Sequence, residues 1–233
     1  MRDIIALITT FALALIWLRL NDFLAIKGLI SSQLSRKIIH IGTGPIYVLC
    51  WLLFTDAWYT RYLAALVPLA ITIQFILVGF GVIKDEASVR AMSRTGERKE
   101  ILRGPLFYGI IFVLVTVLYW RENPIGITAL MILCGGDGFA DIFGRRFGKT
   151  KLAWNQRKSW IGSLAMFLGG WILALVILLV FYQAGYLNYN PISLLLGVTL
   201  ASFGATIIES ISPPDYDNVT ITLTSILLSQ LFW

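Results

Sequence analysis

Charge is scarce in this chain. Only 14% of its 233 residues are Asp, Glu, Lys or Arg, against 58% hydrophobic residues, and the mean hydropathy is +0.78. So little charge excludes an ordinary soluble domain and fits a polytopic membrane protein. Cysteine is nearly missing too. Cys50 and Cys134 both sit in apolar runs with no CxxC or Cys/His spacing, so they read as core thiols, not as disulfide or metal residues. No internal repeat, low-complexity tract, transit peptide, lipid-attachment box or retention signal is visible. The first apolar run lacks a convincing small-residue cleavage site, despite Ala12-Leu13-Ala14, and reads as a retained helix. One membrane domain, residues 1–233, accounts for the whole length. The net charge of +6 does not point to nucleic acid, because its distribution follows membrane orientation.

What is abundant is apolar sequence. Eight apolar segments can be marked, at about residues 4–20, 38–54, 62–80, 105–120, 124–143, 160–182, 192–210 and 219–233. Most reach the ~20 residues a spanning helix needs, while the fourth and eighth are short. The expected fold is therefore all-α, an integral membrane protein of seven or eight spans. The cations fall on alternate connections. Arg19, Lys27, Arg36 and Lys37 lie on the first, and Lys84, Arg90, Arg94, Arg98, Lys99 and Arg103 on the second. Arg145, Arg146, Lys149, Lys151, Arg157 and Lys158 lie on the third, leaving only Arg2, Arg61 and Arg121 for the other side. By the positive-inside rule the three basic connections face the cytoplasm and the N-terminus lies opposite.

The stretch from Gly135 to Ser159 organises the chain. Asp137 and Asp141 are four apart, so on a helix they share one face about a turn apart. A carboxylate at membrane depth costs roughly 2.5–3.5 kcal/mol on insertion scales. A neighbouring pair is kept where a metal ion or a cationic group neutralises it. An ion pair with a nearby Arg is the plain alternative. Gly135, Gly136, Gly138 and Gly144 would leave backbone room for a close ligand. The next basic connection suits phosphate, with Arg145, Lys151 and Lys158 beside the aspartates, although any cytoplasmic loop would be basic. Carboxylates for a divalent cation beside cations for phosphate is the wiring of phosphoryl or nucleotidyl transfer. Gly144 to Lys151 is not a P-loop, since three residues, not four, separate the glycines and no strand precedes them.

Three other groups fall at the same depth. Arg36, Lys37 and His40 open the second segment on one helix face, where His40 could accept a hydroxyl proton or simply hydrogen-bond a helix end. Gly104-Pro105 marks the start of the fourth helix. Glu209 and the turn Ser212-Pro-Pro-Asp-Tyr-Asp-Asn-Val-Thr220 join the last two helices. There Asp217 or Asn218 could cap the final helix, or the oxygens could add to the metal or bind the nucleotide.

Four motifs now stand in order. They are Arg36-Lys-x-x-His40, Leu102-x-Gly-Pro-Leu-x-Tyr108, Gly136-Asp-Gly-x-Ala-Asp-x-x-Gly-Arg-Arg-Phe-Gly148 with Lys158-Ser-x-x-Gly-Ser163 after it, and Asp217-Asn-x-Thr220. Over roughly residues 34–225 the sequence resembles the phytol kinases of the polyprenol kinase family, relatives of dolichol kinase and CTP-dependent diacylglycerol kinase, and more distantly of phosphatidate cytidylyltransferases. The resemblance implies transfer of phosphate, with CTP as donor, to a long-chain isoprenoid alcohol drawn from the bilayer. It implies Mg²⁺ as cofactor and a bacterial inner membrane or a thylakoid membrane as location. By position it implies Asp137, Asp141, His40 and Lys158 in catalysis. Arg36, Lys37, Gly138, Gly144, Arg145, Lys151 and Ser159 would meet nucleotide or phosphate, and Asp137, Asp141, Asp217 and Asn218 the metal. One departure is Tyr216, where the family often has a second Asp. Two rivals are a cytidylyltransferase that makes a CDP-lipid and a transporter that uses the aspartates as an ion relay. Against the relay stands the clustering of polar residues at one face instead of the midplane.

Overall fold

Five of the described helices begin with Ser, Asp or Asn, each accepting a backbone N–H of the first turn. The computed structural model describes residues 1–93, 96–213 and 215–233, with the backbone alone for Ser32, Arg90 and Ala91. Arg94, Pro214 and the Arg90 side chain lie outside the described residues. Ser31 accepts from Leu34 N at 3.2 Å, Asp85 from Ser88 N at 3.0 Å, Asn123 from Ile125 N at 2.9 Å and Asn190 from Ile192 N at 2.8 Å. Pro124 and Pro191 come directly after their caps at the first helical position, where the missing N–H costs nothing.

Among the described residues there are ten α-helices: α1 Arg2–Ile26, α2 Ser32–Cys50, α3 Thr60–Phe80, α4 Glu86–Met92, α5 Gly104–Leu118, α6 Pro124–Met131, α7 Gly138–Phe147, α8 Trp160–Gln183, α9 Pro191–Ile211 and α10 Asp217–Ser229. A π-helical turn, Ile132–Asp137, joins α6 to α7. A small hairpin of β1 Lys151–Leu152 and β2 Asn155–Ser159 separates α7 from α8. The fold is all-α as expected, and α5 starts at Gly104 as the Gly-Pro pair indicated.

The span count differs from expectation. Among the described residues, six segments are long and apolar enough to cross a bilayer: Arg2–Ile26, Thr60–Phe80, Arg98–Leu118, Pro124–Phe147, Trp160–Gln183 and Pro191–Ile211. The second expected span, α2, carries Arg36, Lys37 and His40 in its first half. The eighth, α10, has 13 residues. At 1.5 Å per residue it reaches about 20 Å, short of a ~30 Å hydrocarbon core.

The helices form two compact units, Met1–Val117 and Leu118–Trp233. In the first, α1 packs on α2 and α3, and Trp17 lies against Gly42 while its indole donates to Ile39 O at 3.3 Å. Tyr47 donates to Ala64 O at 3.0 Å and sits 3.0 Å from Thr116 Oγ1, tying α2 to α3 and α5. Phe75, Val78 and Ile101 form a small core with Ile71, Val89 and Met92 around them. In the second unit every residue of α6 is buried, and α8, α9 and α10 pack around it. The outer faces of α8 and α9 instead show Leu164, Ile172, Leu179 and Phe203, as lipid-facing helices do.

Candidate active site

The acid-bearing helix is shaped by close approach to α8. A side-chain carbon built on Gly135 would lie 2.7 Å from Gly169 O, and one on Gly136 2.7 Å from Met166 Sδ. In return, a carbon on Gly169 would lie 2.9 Å from Gly135 O. Further along, Gly144 faces Gly162. Small residues on both sides let the two backbones touch, as in other membrane helix pairs. Ligand access was the role expected for Gly135, Gly136, Gly138 and Gly144; at Gly135 and Gly136 the space beside the backbone is filled by α8, whereas Gly144 meets Gly162 and Ser159 at an ordinary 3.4 Å. Gly138 opens α7 and is buried. The π turn falls on this seam. Such a turn inserts an extra residue into a helix and re-aims the side chains beyond it.

The turn ends on Asp137, which is 7% exposed. Asp141 lies one α-helical turn on. It accepts a hydrogen bond from Arg145 Nε at 2.7 Å, with side-chain exposures of 25% and 55% respectively. The plain ion-pair alternative is thus present at Asp141. An exposed pair of this kind is worth about 0–1 kcal/mol, so either partner can be traded for a stronger one. Arg145→Ala should therefore shift thermal stability by less than about 1 kcal/mol, measured by unfolding in detergent. A larger loss would make the pair structural.

The basic connection is not a loose loop. After Gly148 the chain forms the β1–β2 hairpin, which docks on the end of α9. Trp154 Nε1 donates to Ser210 Oγ at 3.1 Å, Asn155 Nδ2 donates to Ser210 O at 2.9 Å, and Lys158 Nζ pairs with Glu209 Oε1. Leu152 is buried beneath it. The cations separate into two classes. Arg145, Arg146, Lys149, Lys151 and Arg157 are exposed, while Lys158 is half-buried. Ser159, expected at phosphate, is buried and caps α8 by accepting from Gly162 N at 3.1 Å.

Four charged groups come together within this unit. Glu209 is 2% exposed and holds the Lys158 ammonium. Burial pulls the Lys158 ammonium down, but Glu209, then Asp137 and Asp217, push it up further, so it ends above the ordinary lysine value and stays a cation. Asp217 opens α10 and accepts from Asn218 N at 3.0 Å. Neither Asp217 nor Asn218 is the cap: that position is Tyr216, which makes no side-chain cap bond. The turn before it is held by Ser212 and Thr220, whose hydroxyls are 2.6 Å apart, and by Asp215 at φ 70°.

The expected metal set of Asp137, Asp141, Asp217 and Asn218 is not a ready-made cage. Among the described residues no three His, Cys, Asp or Glu side chains are grouped to hold a metal unaided. The donor chemistry still suits Mg²⁺. Three carboxylates and one ammonium leave two negative charges, all available ligands are oxygens, and Mg²⁺ takes one or two carboxylates plus substrate phosphates.

The remaining motif residues lie in the first unit. His40 is half-buried on α2, its ring 4.5 Å from that of Tyr108, whose hydroxyl donates to His40 O at 3.0 Å. Arg36 and Lys37 precede it by one turn. Leu102 packs on Gly79 of α3. The Leu102–Tyr108 motif is thus a brace: Leu102 fixes α3, Gly104-Pro105 starts α5, and Tyr108 holds the backbone beside His40. Reading residue by residue missed Tyr108 and the Lys158–Glu209 pair. The motif carried a signal for Tyr108; nothing local signalled the pair.

Relatives match nearly the whole chain. A chloroplastic protein of Triticum aestivum named a probable phytol kinase is 38% identical over 229 residues, covering 97% of this chain and 76% of the relative. Phytol kinase 1 of Arabidopsis thaliana, also chloroplastic, is 39% identical over 207 residues, 88% of this chain and 68% of the relative. The chloroplastic farnesol kinase of Arabidopsis thaliana is 37% identical over 209 residues, 89% of this chain and 68% of the relative. No protein-family profile and no solved structure matches. With its apolar helices and its acidic, glycine-lined helix turn, the chain belongs to the membrane-embedded polyprenol kinase family that includes the phytol and farnesol kinases.

Proposed function

We propose that the chain transfers the terminal phosphoryl group of CTP to the hydroxyl of a long-chain isoprenoid alcohol of the phytol or farnesol type. The observation that carries this is the cluster of Asp137, Lys158, Glu209 and Asp217, a charged group built where apolar helices end. The family membership supports the acceptor class, and the family's usual chemistry suggests the donor.

In this reading Asp137 and Asp217 would hold Mg²⁺, and Asp141, now paired with Arg145, would be the further carboxylate within the same helix. The ion, when bound, would offset charge on the nucleotide phosphates. Lys158 supplies a fixed positive charge beside the transferring group, and the exposed Arg145 and Lys151 draw the nucleotide in. The alcohol oxygen forms a bond to the γ-phosphorus, the bond from that phosphorus to the β-bridging oxygen breaks, and CDP leaves. The sequence motif names His40 or one of the aspartates as the group that takes the hydroxyl proton. Arg36, Lys37 and His40 enter the proposal from that motif alone. The isoprenoid chain stays in lipid. The distribution of Arg and Lys argues that the charged face lies on the cytoplasmic side.

The test is a panel of acceptors. Membranes containing the protein receive phytol, farnesol, dolichol or diacylglycerol, each with CTP or ATP. The expected result is CTP-dependent phosphorylation of phytol or farnesol. Preferred phosphorylation of diacylglycerol would overturn the assignment of the acceptor.

A further inference from the structure

Glu209 is buried, and the transfer proposed above assigns it no step. It sits on α9, one residue before the Ser210 that anchors the hairpin through Trp154 and Asn155. These bonds set the hairpin against α9 so that Lys158 meets Glu209. The lysine ammonium is a compact charge on a flexible four-carbon stem and goes wherever the nearest carboxylate draws it. Asp137 and Asp217 already act on that ammonium alongside Glu209.

We infer that Glu209 is a positioning residue: by pairing with Lys158 it keeps that ammonium from collapsing onto Asp137 and Asp217, and so leaves those two carboxylates to a divalent cation. The inference rests on the proposal that Asp137 and Asp217 receive the metal. Its physical content is a competition. A half-buried ammonium that loses one carboxylate must find another, because an unpaired buried charge is costly. With Glu209 neutralised, the remaining carboxylates that act on Lys158 are the ones assigned to the metal. Lysine and metal would then contend for the same oxygens.

The probe is Mn²⁺, whose binding to the purified protein in detergent is followed by electron paramagnetic resonance without nucleotide or turnover. Glu209→Gln should weaken Mn²⁺ binding about tenfold, the scale of one added cation acting on a partly buried site. Glu209→Gln combined with Lys158→Met should restore wild-type binding, since the competitor is gone. A purely structural role for Glu209 predicts no such rescue. Unchanged Mn²⁺ binding in Glu209→Gln, or a double variant as weak as the single one, would overturn the inference. Should Glu209→Gln fail to fold, Lys158→Met alone decides: it should bind Mn²⁺ at least as tightly as wild type, and weaker binding counts against the idea. Asp137→Asn separates the inference from the metal assignment beneath it. If it binds Mn²⁺ like wild type, the metal assignment fails and the inference with it. If it does not, while Glu209→Gln is unaltered, only the role of Glu209 fails.

Discussion

Asp137→Asn should lower phosphoryl transfer on the order of 10²–10³-fold, the usual loss when one fixed charge-stabilising group is removed from a reaction centre. Asn has nearly the shape of Asp, so the packing of the π turn on α8 is kept. Asp137 is one of two carboxylates that act on Lys158 beside Glu209, and Glu209 still holds the ammonium. Membrane insertion and thermal unfolding should therefore stay close to wild type. Asp141→Asn should cost less, because Asp141 is more open and already shares its charge with the exposed Arg145. Initial rates at saturating nucleotide, with unfolding in detergent as control, check both. Normal activity in Asp137→Asn would remove it from the site.

Gly135→Ala should destabilise the protein by about 1–3 kcal/mol, the usual penalty for overpacking. The added methyl would meet Gly169 O at 2.7 Å, and a backbone oxygen cannot rotate away as a side chain can. Either α8 shifts or the π turn does, and Asp137 rides on that turn. Activity should fall together with stability. If the glycines served ligand access instead, stability would hold while the KM for nucleotide rose. Thermal unfolding and KM, measured on the same preparation, separate the two.

The glycine case shows where sequence reading stops. Glycine at membrane depth admits either a ligand or another backbone, and only the partner decides. That partner, Gly169, lies more than thirty residues on. The hairpin was hidden for a similar reason. Lys151–Ser159 has no apolar alternation, and its dock on Ser210 and its ion pair with Glu209 reach across more than fifty residues. What could be read locally came through. The spans from α3, α5, α8 and α9 follow their apolar runs, and Asn123-Pro124 and Asn190-Pro191 mark helix starts by capping chemistry. The run after Asp217 was apolar but too short once its helix ended at Ser229. The acidic pair was legible as unusual at Asp137 and Asp141. The ion pairs around it were only half so: Arg145, four residues from Asp141, is visible in sequence, whereas Glu209, noticed at the end of an apolar run, could not be matched to Lys158.

The most direct measurement tracks the position of a label. Purified protein in lipid nanodiscs with Mg²⁺ and phytol receives CTP labelled in the γ-phosphate, and in parallel CTP labelled in the cytidine. The account predicts that the γ-label appears in a lipid monophosphate and that the cytidine label leaves as CDP. Cytidine label in the lipid fraction would contradict it and make the protein a nucleotidyltransferase.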